Sequence, residues 1–189
     1  MGLILASGSP RRRELLAAAG YEFAVVSPEV EELGPGVHPF RKLCVVNAVM
    51  KAREVQAGHP EAVVLAADTL VGLDGEALGK PACLDEAREM LERLSGRVHE
   101  VCTGVALRSG DKESAFFEVT WVRVHKCGEA VFEEYLDQVE VLDQAGACAI
   151  RVCGKLLVDR IEGDYENVVG LPVGRVRNEL DRFGVERMK

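Results

Sequence analysis

The 189-residue sequence has no apolar stretch long enough to span a membrane or to serve as a secretory leader. Leu3 to Ala6 is a short run, and the charged trio Arg11, Arg12 and Arg13 comes only a few residues later. The expectation is a cytoplasmic protein with no membrane partner. Six cysteines (Cys44, Cys83, Cys102, Cys127, Cys148, Cys153) are scattered without a C-x-x-C pair, so reduced, mostly buried thiols are expected rather than a zinc site or a disulfide. Four histidines (His38, His59, His99, His125) show no metal-ligand spacing, and no G-x-S-x-G elbow is present. The G-x-x-x-x-G-K-[ST] loop is missing as well. Basic residues are in the minority, 23 Lys plus Arg against 31 Asp plus Glu, for a net charge of −8. That balance excludes a general binder of long nucleic acid, whose affinity comes from neutralising many phosphates. It does not exclude one small phosphorylated ligand in a local basic pocket. No repeat, low-complexity tract or linker divides the chain, so a single domain over 1–189 is expected.

What the sequence does contain is globular: 48% hydrophobic and 29% charged residues. Leu3 to Ala6 reads as a buried strand, Ser7-Gly8-Ser9-Pro10 as a turn, and Pro10 suits the first position of a helix running to Ala19. A second strand is expected at Phe23–Val26 and a loop over Ser27–Pro39, followed by a helix marked by Leu43, Val46, Val49 and Met50 and carrying Lys51. Val63–Ala67 reads as a continuous apolar strand ending at Asp68-Thr69, and Asp74-Gly75 as a hairpin turn. Helices are expected at Asp85–Leu94, Glu129–Gln138 and from Pro172 to about Phe183, with strands near Glu100–Arg108 and Phe116–His125. Strands and helices mix throughout, giving an α/β or α+β class with a mixed sheet.

Two constellations could carry chemistry. Ser7-Gly8-Ser9-Pro10-Arg11-Arg12-Arg13 lies at a strand-to-helix junction, where unpaired N–H groups, the helix dipole and arginines all favour a phosphate. The bland alternative is that Ser9 caps a helix with an arginine-rich exposed face. Asp68-Thr69 closes an apolar strand, and ligands of α/β folds bind beyond the carboxyl ends of strands. A carboxylate there can bind Mg²⁺ or orient a water, or simply cap the next turn. An aspartyl-phosphate mechanism would want D-x-D, and position 70 is Leu. Glu31-Glu32, Lys51 and Lys80 each read, in isolation, as solvated surface residues. Together these residues suggest phosphate plus a divalent metal.

In order along the chain, Leu3-Ile4-Leu5-Ala6-Ser7-Gly8-Ser9-Pro10-Arg11-Arg12, Glu31-Glu32, Lys51-Ala52, Ala66-Ala67-Asp68-Thr69, Gly79-Lys80-Pro81, Leu94-Ser95-Gly96 and Asp164 to Pro172 resemble the Maf family of nucleoside triphosphate pyrophosphatases. The resemblance implies hydrolysis between the α- and β-phosphates of a nucleoside triphosphate, releasing the monophosphate and pyrophosphate. It implies an elongated mixed sheet with flanking helices and two lobes around a cleft, similar to inosine triphosphate pyrophosphatases, often as a homodimer. It also implies a Mg²⁺ or Mn²⁺ cofactor held by Glu32 and Asp68, with Asp68 the water-activating carboxylate and Glu32 its acidic partner. Ser7, Arg11, Arg12, Lys51 and Lys80 correspond to substrate and phosphate contacts.

In the branch acting on dTTP and UTP, three positions mark specificity; here they are Arg11, Thr69 and Arg151. The third departs from the pattern: Ala145-Gly146-Ala147-Cys148-Ala149-Ile150-Arg151 carries Cys where the family has Tyr and Arg where it has Gln, and Gln144 replaces a preceding lysine. A glutamine amide donates and accepts, whereas a guanidinium only donates. The leading expectation is a dTTP/UTP-type pyrophosphatase that cleans the nucleotide pool. Its alternatives are a purine-directed (inosine/xanthosine-type) enzyme and a nucleotide-binding regulator of septum formation with weak hydrolysis.

Overall fold

The computed structural model describes residues 2–148 and 150–188, and for 152–155 the backbone alone. Ala149 and the side chain of Cys153, both within segments singled out from the sequence, therefore lie outside the described residues. The sheet has seven strands in the order β2-β1-β3-β5-β6-β7, with β4 also paired to β3. These are β1 (Leu3–Ala6), β2 (Ala24–Val26), β3 (Val63–Leu73), β4 (Glu76–Leu78), β5 (Val98–Ser109), β6 (Lys112–Val124) and β7 (Val158–Glu162). β1 runs parallel to β2 and β3, and the remaining pairs are antiparallel. The helices are α1 (Pro10–Ala18), α2 (Phe40–Gly58), α3 (Leu84–Leu94), α4 (Glu129–Gln138), α5 (Ile150–Leu157), α6 (Tyr165–Val169) and α7 (Val173–Arg182). No described helix is long and apolar enough to cross a membrane.

Strand β3 is the spine of the molecule. The sequence suggested that it ends at Asp68-Thr69; instead it continues to Leu73. Parallel pairing with β1 does stop at Ala6 opposite Ala66, but antiparallel β5 carries the strand on, pairing Asp68 with Gly104 and Thr69 with Thr103. Asp74 and Gly75 then both take positive φ (54° and 84°), the conformation a tight two-residue hairpin requires. Asp68 thus lies in mid-strand, yet just past the carboxyl end of β1, on an edge its neighbour has vacated. The hairpin between β5 and β6 is likewise tighter than expected, its strands reaching Ser109 and Lys112.

Side chains of a strand alternate between faces. Val64 and Ala66 pack with Ala48, Ala52 and Val55 of α2, whereas Leu65 and Ala67 pack with Leu16 of α1 and with Val173, Val176 and Leu180 of α7. Continuing that alternation, Asp68 faces α2 and Thr69 faces α1. Helix α2 lies very close to the sheet. A Cβ on Gly104 would come within 2.3 Å of the Cys44 backbone, so glycine is what permits the approach. A separate core of Val71, Leu73, Leu78, Leu91, Leu94, Phe132, Tyr135 and Leu157 unites β4, α3, α4 and α5 into a second lobe. The cleft opens between the two cores.

The five cysteines with described side chains are all free; Cys44 and Cys102 are buried, Cys127 and Cys148 half-buried and Cys83 exposed. The stretch from Ala145 to Val169 contains a short 3-10 turn, α5, β7 and α6, where the sequence showed only a glycine-punctuated middle before the last helix.

Candidate active site

The floor of the cleft is built from the α2 side of β3. Asn47 and Lys51 are four residues apart on α2 and therefore share one face. The Lys51 ammonium donates to Asp68 Oδ1 at 2.8 Å, and the Asn47 amide donates to Asp68 Oδ2 at 3.0 Å. Lys51 Nζ also lies 2.5 Å from Glu32 Oε1, so one ammonium bridges two carboxylates. The Lys51 and Asp68 side chains are each only 7% exposed, and Glu32 is 51% exposed. Charges this enclosed persist because they neutralise one another.

The opposite face of β3 carries a hydrogen-bonded relay that starts at Arg12. Arg12 spends three donors on the protein: Nε on the Gly170 carbonyl at 2.8 Å, Nη1 on Ser7 Oγ at 3.2 Å and Nη2 on Thr69 Oγ1 at 2.9 Å. Thr69 Oγ1 lies 2.9 Å from Thr103 Oγ1, which donates to the Asn167 carbonyl at 3.1 Å. With Thr103 already donating, the Thr69 hydroxyl donates to Thr103 and accepts from Arg12. Burial pulls Arg12 below the ordinary arginine value, and the Asp68 carboxylate opposes that most strongly. Gly170 adopts φ +131° where α6 ends, so its carbonyl meets Arg12 in a conformation that L side chains rarely adopt.

At the mouth, Ser9 begins α1 without a side-chain cap, and no acidic residue occupies the first turn. The free N–H groups and positive dipole end are accompanied by Arg11, which lines the cleft without a side-chain partner among the described residues. Lys80 pairs with Asp143 at 2.6 Å, and Arg151 of α5 pairs with Glu14 of α1 at 2.6 Å across the opening between the lobes. Deeper in the second lobe, Val71, Val101, Val122, Ala145, Cys148 and Val168 form an apolar end. His99 lies there with Nδ1 enclosed and unpartnered, and burial pushes its pKa down to about 4. Burial also raises the Cys148 thiol to about 11, leaving it protonated and inert at neutral pH.

All nine residues singled out from the sequence (Ser7, Arg11, Arg12, Glu32, Lys51, Asp68, Thr69, Lys80, Arg151) line one cleft of about 970 Å³. Its charged lining comprises five basic side chains against Glu32, Asp68 and Asp143, so an acidic chain does enclose a basic pocket. Their arrangement differs from a set of free cations. Lys51 is buried rather than solvated, Arg12 is committed to the framework, and Lys80 and Arg151 sit at the rim in exposed pairs. The sequence reading missed Asn47, Thr103 and Glu14, and it noted Asn167, within the Asp164 to Pro172 motif, and His99 without giving either a role at the site. Asn47 had a usable signal, four residues before Lys51. Thr103 had none, because only the β3–β5 register brings it to Thr69.

The family model described as "Maf-like protein" matches residues 2–183. A dTTP/UTP pyrophosphatase of Akkermansia muciniphila is 43% identical over 182 residues, 96% of each chain. A dTTP/UTP pyrophosphatase of Symbiobacterium thermophilum is 47% identical over 182 residues, 96% of this chain and 94% of its own. A dTTP/UTP pyrophosphatase of Bacillus cytotoxicus is 46% identical over 180 residues, 95% of this chain and 94% of its own. Among solved structures, the Staphylococcus aureus Ham1 protein superposes with a TM-score of 0.58 at 14% identity, covering 97% of this chain and 100% of that one, which is a likeness of fold.

Proposed function

The chain belongs to the Maf family, and from that premise we propose that it is an enzyme hydrolysing dTTP, UTP or related pyrimidine and modified nucleoside triphosphates to the monophosphate and pyrophosphate, a role in cleaning the nucleotide pool. The observation that carries this reading is the Asp68–Lys51–Glu32 chain, placed in the same cleft as the uncapped start of α1 and Arg11. A triphosphate lying along that line meets the cation and free N–H groups at α1 while its scissile bond approaches Asp68.

Asp68 acts as the base. Each of its oxygens holds one donor from α2, and an ionised carboxylate keeps further acceptor capacity for the attacking water. Lys51 holds that carboxylate in place and offsets its charge beside an anionic substrate. Arg12, anchored at Ser7, Thr69 and Gly170, fixes the strand-to-helix junction that Arg11 projects from. The apolar end with His99 suits a base, and Arg151 offers donors to pyrimidine carbonyl oxygens once released from Glu14.

The donor set fits a divalent cation. Glu32 and Asp68 both reach the Lys51 ammonium, so the two carboxylates lie close to one another, and no group of three His, Cys, Asp or Glu residues forms among the described residues. Mg²⁺ and Mn²⁺ accept one or two carboxylates and complete their shell with substrate phosphates and water. Glu32 and Asp68 would hold such an ion, which would supply charge neutralisation for the departing pyrophosphate.

The test is pyrophosphate release across a panel of pyrimidine, purine and modified triphosphates with Mg²⁺ or Mn²⁺. Fastest turnover of dTTP and UTP is expected. Preference for inosine or xanthosine triphosphate would transfer the reading to purines, and no turnover by folded protein would leave a nucleotide-binding module.

A further inference from the structure

Asn47 belongs to none of the sequence motifs, yet its side chain makes three hydrogen bonds at the floor. It lies within α2, where asparagine is a weaker helix former than most residues, and it is 2% exposed. Its Oδ1 accepts the Leu33 N–H at 2.9 Å, and its Nδ2 donates both to the Leu33 carbonyl at 3.2 Å and to Asp68 Oδ2 at 3.0 Å. Both amide hydrogens and the carbonyl are thereby used. The reversed amide would set its oxygen against two acceptors and its nitrogen against a donor, so only one orientation satisfies the site.

Leu33 directly follows Glu32. The side chain that pins the loop carrying one carboxylate therefore also holds the second carboxylate. Lys51, one turn further along α2, reaches the same two groups, meeting Asp68 at its other oxygen. The short asparagine reaches both partners because Gly104, paired with Asp68, lets α2 lie against the sheet. We infer that Asn47 is a positioning residue: its amide clamps the loop at Leu33 to Asp68 and so fixes the spacing and orientation of the Glu32–Asp68 pair for catalysis. This rests on the proposed hydrolase function of the same cleft.

Two substitutions separate the two halves of the clamp. Asn47→Leu suits a helix but removes every hydrogen bond. Asn47→Asp keeps an acceptor for the Leu33 N–H, removes both donors and sets a like charge against Asp68. The melting temperature of each is recorded, and well below it kcat and KM for dTTP with Mg²⁺ and the hydrogen exchange of the Leu33 amide are measured. Both variants should lose roughly 30- to 100-fold in kcat with KM within about threefold, as expected when orientation rather than binding is lost. Leu33 should exchange faster at least tenfold in Asn47→Leu and near the wild-type rate in Asn47→Asp.

A wild-type kcat in either variant, a rise in KM alone, or unchanged Leu33 exchange in Asn47→Leu would overturn the assignment. So would failure of both variants to fold, because Asn47 would then be a requirement of the core. If the wild type itself turns over no triphosphate, the hydrolase reading fails, and the Leu33 exchange pattern still decides whether the clamp exists.

Discussion

At the floor of the cleft, Lys51 meets Asp68 at 2.8 Å with each side chain 7% exposed; at the rim, Lys80 meets Asp143 at 2.6 Å with side chains 60% and 64% exposed. Arg151 and Glu14 form a second rim pair, also at 2.6 Å and about half exposed. Distance alone does not distinguish floor from rim. Their surroundings do: an exposed pair is screened by water and salt and contributes about 0–1 kcal/mol, whereas removing one member of a buried pair costs about 3–5 kcal/mol. The floor is therefore wired before substrate arrives, and the rim can release its cations to an incoming anion at little cost.

Lys51→Met is the harshest break of that contrast. It removes the ammonium that joins Asp68 to Glu32 and leaves the buried Asp68 carboxylate without its ion-pair partner, and unfolding experiments should show a loss of about 3–5 kcal/mol along with turnover. Next comes His99, enclosed at the apolar end of the same cleft and held down to about 4. Below the ordinary histidine value the unfolded chain takes up a proton that the folded chain refuses. Stability from this residue is thus complete above about pH 6.5 and declines until about pH 4, by on the order of 3 kcal/mol. A His99→Gln variant should flatten the fall in melting temperature over that window. Thr69→Val removes a hydroxyl that both accepts from Arg12 and donates to Thr103, and should cost about 1–3 kcal/mol in chemical denaturation. The smallest effect is expected at the rim. Glu14→Gln should shift stability by less than about 1 kcal/mol, and that difference should vanish in high salt. A large, salt-independent loss there would place the rim pair in the same class as the floor.

The same division governs how much the sequence discloses. Strand β1, helices α1, α2 and α4, and the Asp74-Gly75 turn follow from local apolar spacing and turn chemistry, and the structure has them close to where that reading puts them. The nine site residues follow from ordered motifs and do share one cleft. What each side chain does there depends on partners distant along the chain. Lys51 looks like a surface lysine until α2 is laid against β3, and the continuation of β3 past Asp68 depends on β5, pairing that no local pattern encodes. The α5–β7–α6 stretch escapes for another reason: its elements span eight, five and five residues, too short for a period to establish itself.

The proposed hydrolysis turns on water activation by the buried Asp68 carboxylate of the floor. Pyrophosphate release from dTTP by Asp68→Asn tests it most directly, because the amide keeps the size of the side chain and removes its basicity. With the melting temperature recorded in parallel, the folded variant should lose at least about 100-fold in kcat, the scale of general-base catalysis. Undiminished turnover in a folded Asp68→Asn protein would contradict it.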